Sequence, residues 1–248
     1  MNLEEASVLL VEDEPLLCEA MTAWLSRVAG RGLCAGNGRE ALRLLEANRI
    51  DLVVSDVRMP VMDGIALLET LNRSRPGRPP VILITGYSDL TLREAYDRGA
   101  EAMLEKPIDR EGLVRAMRRC LTLPGDLWRE PPRRQGAVKL KAAFASLASA
   151  LEMGKLALGR KGFCIEGNRG LGEGPVDFTL HFKDENRTFT GQGEVRWTAP
   201  EERQAGIEIT SVDEPGRSWL VDWLDRAAPP ASIPASTARA SASLPRVA

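Results

Sequence analysis

Between Ser7 and about Leu123, short apolar runs alternate with amphipathic stretches, and this rhythm restricts the fold more than any other feature of the chain. The runs are SVLLV (7–11), a weaker one near Gly32–Ala35, LVVS (52–55), VILIT (81–85) and AML (102–104). Between the first two, Pro15–Val28 sets Leu16, Leu17, Ala20, Met21, Trp24, Leu25 and Val28 at helical spacing, with Pro15 suited to a first turn. Helical patterns follow at Asn37–Asn48, Gly64–Ser74, Asp89–Arg98 and Arg110–Leu121, and Gly99 stands where a helix should stop. Five strands alternating with five helices specify an α/β fold, a doubly wound five-stranded parallel sheet with helices on both faces. The unbroken runs LVV and VILI suit strands buried on both sides.

Residues 124–135 (PGDLWREPPRRQ) interrupt the rhythm with prolines and arginines and read as a linker. Val138–Leu151 has Leu140, Phe144, Leu147 and Leu151 at helical spacing and is expected to be a helix, with a strand entry as the alternative. Beyond it, KLALG, GFCIEG, VDFTLHF, RTFTGQGEVRW and QAGIEIT alternate between Gly-rich turns, the mark of a small antiparallel sheet or barrel. Trp219, Leu220, Trp223 and Leu224 mark a closing helix, and the Ala/Ser/Pro-rich tail 227–248 reads as disordered. The expected organisation is a first domain at 1–123, a linker at 124–135, a second domain at 136–226 and the tail.

Composition narrows the function. With 33 basic and 35 acidic side chains, the formal charge of −2 gives no global attraction to nucleic acid. No apolar run approaches the ~18 residues of a membrane span, and the acidic start MNLEEASVLLVEDEP is unlike a secretory signal. A soluble cytoplasmic protein is expected. Four scattered cysteines read as reduced core residues, and a single histidine, His181, disfavours histidine metal sites and Ser-His-Asp catalysis.

Chemistry concentrates at the carboxyl ends of the predicted strands. Glu12, Asp13 and Glu14 follow the first strand and Asp56 follows the third, near the switch in strand order where ligands bind. Carboxylates crowded there resist ionisation unless a cation is present, and Mg2+ prefers such oxygen ligands. Thr85 ends the fourth strand and Lys106 follows the fifth. A carboxylate nucleophile, a divalent cation, a lysine and a hydroxyl are the parts that phosphoryl transfer onto an aspartate requires.

Through LLVEDEP (9–15), DLVVSDVRMPVMDG (51–64), ILITGY (82–87) and EKP (105–107), residues 7 to about 121 resemble the receiver domain of two-component response regulators. The resemblance implies that Asp56 is the phosphoacceptor. It implies that Asp13, Asp56 and the backbone carbonyl of Arg58 hold Mg2+, with Glu12 acting directly or through a water. Lys106 would neutralise phosphoryl oxygens, Thr85 would sense them, and Pro60 and Gly64 would shape the loop after Asp56. The family often carries an aromatic switch residue three positions before the lysine, where this chain has Met103. A flexible methionine lacks the aromatic's two defined rotamers.

The second half resembles a PilZ-type domain through Gly162-Phe163, Val195-Arg196-Trp197 and Gly206-Ile207. That family commonly binds cyclic di-GMP through an Arg-x-x-x-Arg arm and an Asp/Asn-x-Ser-x-x-Gly turn. Arg129 and Arg133 have the arm's spacing, but the turn aligns on Ala157-Leu158-Gly159-Arg160-Lys161-Gly162, which lacks both polar side chains. Residues 124–226 carry 15 basic and 16 acidic side chains and no helix-turn-helix pattern, so DNA is not an expected partner. No catalytic constellation suggests an enzyme.

The expected function is a response regulator phosphorylated by a histidine kinase or phosphotransfer protein, with the PilZ-like module contacting an unidentified downstream protein. The alternative is a cyclic di-GMP effector modulated by phosphorylation. Receivers also pair through their last helices, which makes a homodimer a further partner to consider.

Overall fold

A computed structural model describes residues 2–74, 78–86, 90–122, 126, 128–129, 138–167, 170–227 and 229–237. The chain divides into two compact units, Met1–Leu123 and Pro124–Ala248. Among the described residues, no helix is long and apolar enough to cross a membrane.

In the first unit the strands are β1 (Ser7–Val11), β2 (Arg31–Ala35), β3 (Leu52–Asp56), β4 (Val81–Thr85) and β5 (Ala102–Glu105). The helices between and after them are α1 (Pro15–Val28), α2 (Gly38–Ala47), α3 (Gly64–Ser74), α4 (Leu92–Asp97) and α5 (Arg110–Cys120). The strands are parallel in the order β2-β1-β3-β4-β5. The alternation along each strand divides the core in two. Leu9, Val11, Val53 and Leu83 point to one face, against Leu67, Leu68 and Ala95. Val8, Leu10, Val54, Ile82 and Ile84 point to the other, against Leu25, Leu113 and Met117. Burial on both faces is what unbroken apolar runs require.

Local chemistry sets the helix starts. Asn37 accepts a hydrogen bond from the Glu40 amide, and Asp109 accepts from the amides of Glu111 and Gly112. Thr91 and Glu94 form a reciprocal capping box that starts α4. The expected start of that helix, at Asp89, lies outside the described residues.

The cysteine expectation needs correction. Cys18 on α1 and Cys34 on β2 are joined as a disulfide, their Cα atoms 6.2 Å apart, whereas Cys120 and Cys164 take no part in a disulfide. Sixteen residues of separation carry no pairing signature; the parallel β1–β2 register, which sets Cys34 beside Leu10, brings Cys34 under α1.

The second unit is a six-stranded sheet in the order β6-β9-β10-β11-β8-β7. Its strands are β6 (Val138–Phe144), β7 (Leu156–Leu158), β8 (Gly162–Glu166), β9 (Gly174–Phe182), β10 (Arg187–Ala199) and β11 (Gln204–Val212). Helix α6 (Leu147–Glu152) lies between β6 and β7, and α7 (Gly216–Ala227) closes the element order. All pairings are antiparallel except β6 with β9. Phe163, Phe178, Phe182, Phe189 and Ile207 form the core, with Leu220 and Trp219 of α7 packed against it.

Three expectations change here. The helix expected over 138–151 is strand β6 followed by the short α6. Leu140 and Phe144 are four residues apart, a spacing that suits both a helical face and one side of a strand, and the free edge of β9 decides between them. Two residues of the expected linker belong to the second unit. Trp128 is buried in its core and its carbonyl accepts from the Val212 amide, while Arg129 bridges to Ser211. Finally, part of the tail expected to be disordered is seated on this sheet. Ile233 is fully buried, the Arg160 and Lys161 amides donate to the carbonyls of Ala231 and Ser232, and Gln204 donates to the Thr237 hydroxyl. Buried apolar side chains and backbone carbonyl acceptors hold a segment whose composition alone suggests no structure.

Candidate functional site

The parallel sheet places the ends of β1, β3, β4 and β5 side by side, with the topological switch between β1 and β3. Asp56 is the last residue of β3, and Glu12 and Asp13 come directly after β1. One oxygen from each of these three carboxylates lies within 4.8 Å of the others. Glu12 and Asp56 are buried, at 3% and 8% exposure, whereas Asp13 is open to solvent.

Lys106, immediately after β5, reaches back across the sheet. Its Nζ donates to Asp56 Oδ2 at 2.5 Å and to Glu12 Oε2 at 3.1 Å. The lysine is positioned because its amide donates to the Thr85 carbonyl. Burial pushes the Glu12 carboxyl above its ordinary range, and the Asp56 charge adds to this against the opposing bonds from Lys106 and the Glu14 amide. For Lys106, burial acts to lower the ammonium's pKa, but the hydrogen bonds to Asp56 and Glu12 outweigh it and hold the group above the ordinary lysine value.

The donor set consists of oxygens and is partly desolvated, so it fits a hard divalent cation such as Mg2+. Glu12, Asp13 and Asp56 would hold it. The Glu12 side chain joins the cluster directly, and Lys106 pairs its single positive charge with two of the three carboxylates. Arg58 stands at the mouth: its amide donates to Asp56 Oδ1 at 3.2 Å, and it lines a shallow pocket with Asp13. Thr85 is buried at the end of the neighbouring strand, and Met103 is partly buried against the core formed with α2, α3 and α4.

The loop after Asp56 shows features that spacing could not reveal. The Met62 amide donates to the Pro60 carbonyl, a three-residue turn that drives the exposed, β-branched Val61 to φ 70°. A backbone of this kind costs of order 1–3 kcal/mol and is held by its surroundings. Gly64 is part of the reason. A Cβ there would lie 2.1 Å from the Asp56 carbonyl oxygen and 2.9 Å from Ser55 Oγ, so only glycine lets α3 start this close to the strand end. Gly64→Ala is expected to destabilise the first unit by about 1–3 kcal/mol by overpacking. It should also slow any chemistry at Asp56; thermal unfolding and a labelling rate measured on the same variant check both effects.

Among the described residues, those expected in the second unit do not assemble into a site. Arg129 forms an ion pair with Asp126 at 3.4 Å, and Arg133 lies outside the described residues. Ala157 is buried, and a Cβ at Gly159 would meet the Ser232 carbonyl at 2.4 Å, because the tail runs over this turn. Arg160 donates to the carbonyls of Pro229 and Pro230. Sequence reasoning did not foresee the pair between Arg196 and the buried Glu208, 2.6 Å apart; cross-strand placement on β10 and β11 creates it.

Comparison with known proteins bears on the first unit. The response regulator receiver domain family matches residues 8–118. The transcriptional regulatory protein GlrR of Escherichia coli is 34% identical over 117 residues, covering 47% of this chain and 26% of GlrR. The regulatory protein AtoC of the same organism is 30% identical over 184 residues, covering 71% of this chain and 40% of AtoC. The chain thus spans well under half the length of these two relatives. A response regulator receiver domain protein from Clostridium thermocellum aligns with 29% identity and a TM-score of 0.44, covering 47% of this chain and 94% of that one. The family match covers the strand ends that carry Glu12, Asp13, Asp56, Thr85 and Lys106, so it is over residues 8–118 that this chain is similar to response regulator receiver domains.

Proposed function

We propose that this chain is a phosphorylation-operated response regulator, with Asp56 as the phosphoacceptor and the second unit as a PilZ-like module that works through protein contacts in the cytoplasm. The observation that carries this reading is the carboxylate triad with Lys106 bonded to Asp56 at the switch of a receiver sheet. An Asp56 carboxylate oxygen attacks the phosphorus of a phosphohistidine on a histidine kinase or phosphotransfer protein. The P–O bond to Asp56 forms as the P–N bond of the donor breaks. Bound Mg2+ would supply charge neutralisation for the phosphoryl oxygens. Lys106 contributes a fixed positive charge on the same oxygens, and Thr85 offers a hydroxyl from the adjacent strand.

Incubation with radiolabelled acetyl phosphate tests this. Label should accumulate with Mg2+ and stay at background with EDTA; absence of label under both conditions overturns the reading.

The six strands with a closing helix, and the inward Phe163, Val195, Trp197 and Ile207, support a PilZ-like assignment. Binding of cyclic di-GMP is disfavoured by the missing polar residues at Ala157 and Gly159 and by the tail lying over the same turn. Two lost hydrogen bonds to charged groups, each worth roughly 1.5–3 kcal/mol, weaken binding by about two to four orders of magnitude. Calorimetry is expected to show no complex at low-micromolar cyclic di-GMP. A micromolar complex that is lost in Arg129→Ala/Arg133→Ala would favour the nucleotide-effector alternative.

A further inference from the structure

The disulfide between Cys18 and Cys34 lies beside the acidic triad, and nothing in the function proposed above uses it. Glu12, Asp13, Cys18 and Cys34 line one open groove. The two sulfurs differ in access: Cys18 is buried at 2% exposure, whereas Cys34 is exposed at the sheet edge. The 6.2 Å between the Cα atoms falls within the range of ordinary disulfides.

The reduced state also has a place for its thiol. Cys18 Sγ lies 4.0 Å from the Ala35 carbonyl oxygen, the same oxygen that accepts the Glu12 amide at 3.0 Å. At the other end, the Cys18 amide donates to the Glu14 carbonyl. The segment carrying Glu12 and Asp13 is therefore anchored at both ends to the cysteine pair and its neighbours.

We propose that Cys18 and Cys34 form a reversible thiol–disulfide pair whose oxidation fixes the Glu12–Asp13 segment and speeds phosphoryl capture at Asp56. The effect on phosphoryl capture rests on the function proposed above; the clamp on the segment does not. Oxidised glutathione, or another small disulfide, is the oxidant. The exposed Cys34 thiolate attacks one of its sulfurs, forming a mixed disulfide and expelling one glutathione thiolate. Cys18 then loses its proton and attacks Cys34 Sγ, and the second glutathione leaves. Two protein thiols are oxidised to one disulfide, glutathione disulfide is reduced to two glutathione thiols, and the two protons lost by Cys34 and Cys18 end on these. Cross-linking α1 to β2 restrains the start of α1 and with it the Glu12–Asp13 segment that leads into it from β1, so less ordering is left to the step in which the cation and phosphoryl group arrive.

The test uses the full chain after equilibration in reduced or oxidised glutathione. Differential alkylation with mass mapping should find Cys18 and Cys34 paired only under oxidising conditions, with Cys120 and Cys164 alkylated in both. Hydrogen exchange over residues 12–18 should be slower in the oxidised form. Labelling by acetyl phosphate with Mg2+ should be on the order of two- to tenfold faster in that form, as ordinary coupling energies allow. Cys34→Ser, at an exposed position, should abolish both differences.

Failure of the pair to form, or equal exchange in the two forms, overturns the clamp. Equal or slower labelling of the oxidised protein overturns its coupling to Asp56. Absence of label in both forms overturns the phosphoacceptor reading instead, and exchange then decides the clamp alone.

Discussion

Asp56→Ala is expected to reduce acetyl phosphate labelling to background while leaving the fold intact. The carboxylate is the nucleophile, and no neighbouring group can replace it. Glu12 is turned toward Lys106 and the Glu14 amide, and Asp13 sits at the solvent edge of the triad. Loss of the side chain should cost little stability, because it removes one of three crowded carboxylates and leaves Lys106 paired with Glu12. Lys106→Ala separates charge neutralisation from nucleophilicity. It should slow labelling on the order of 10²-fold, the usual cost of removing one preorganised charge or donor, and Mg2+ should still bind the three carboxylates. A phosphate-affinity gel time course, with circular dichroism as a control for folding, reads both variants. Wild-type labelling of Asp56→Ala would move the phosphoacceptor elsewhere.

Phe182→Ala is expected to produce the largest loss of stability, confined to the second unit. Phe182 is 1% exposed, stacks on Phe144 with ring centroids 5.5 Å apart, and meets Phe189 edge-on at the same separation. Truncating such a residue costs about 3–5 kcal/mol, through lost transfer energy and the cavity left behind. With urea dependences of about 1–3 kcal/mol per molar, the unfolding midpoint of this unit should fall by roughly 1–5 M. The cores of the two units share no residue, so Asp56 labelling should keep its wild-type rate in the variant. Intrinsic fluorescence of Trp197 and Trp219 follows the second unit. A parallel loss of labelling would show that the units fold as one.

Much of the first unit was legible because each signal is local. The runs at 7–11, 52–55 and 81–85 bury both faces of their strands, and an unbroken apolar run is the record of that environment. Asp56 and Thr85 close their strands and Lys106 directly follows β5, so reading the strands correctly also located these site residues. In the second unit, the alternation through β9, β10 and β11 was equally direct, since one face of each packs on the core.

What tertiary structure alone decided were the choices between local readings and the pairings over long separations. Val138–Phe144 satisfies both helical and strand spacing, and it became a strand because β9 offers an unpaired edge. Trp128 stands among prolines and arginines yet joins the core of the sheet, and Ile233 holds down a segment with the composition of a disordered tail. Lys106 bonds both Glu12, 94 residues away, and Asp56, 50 residues away, because the strand order sets three strand ends around one point. Cys18 meets Cys34 because α1 returns across the edge strand β2. Apolar periodicity is written within a few residues of each position, so the sequence by itself determined the elements of the first unit and the strand-end placement of Asp56, Thr85 and Lys106. Which buried charge or sulfur meets which partner depends on strand order and crossover, and those follow from packing of the whole chain.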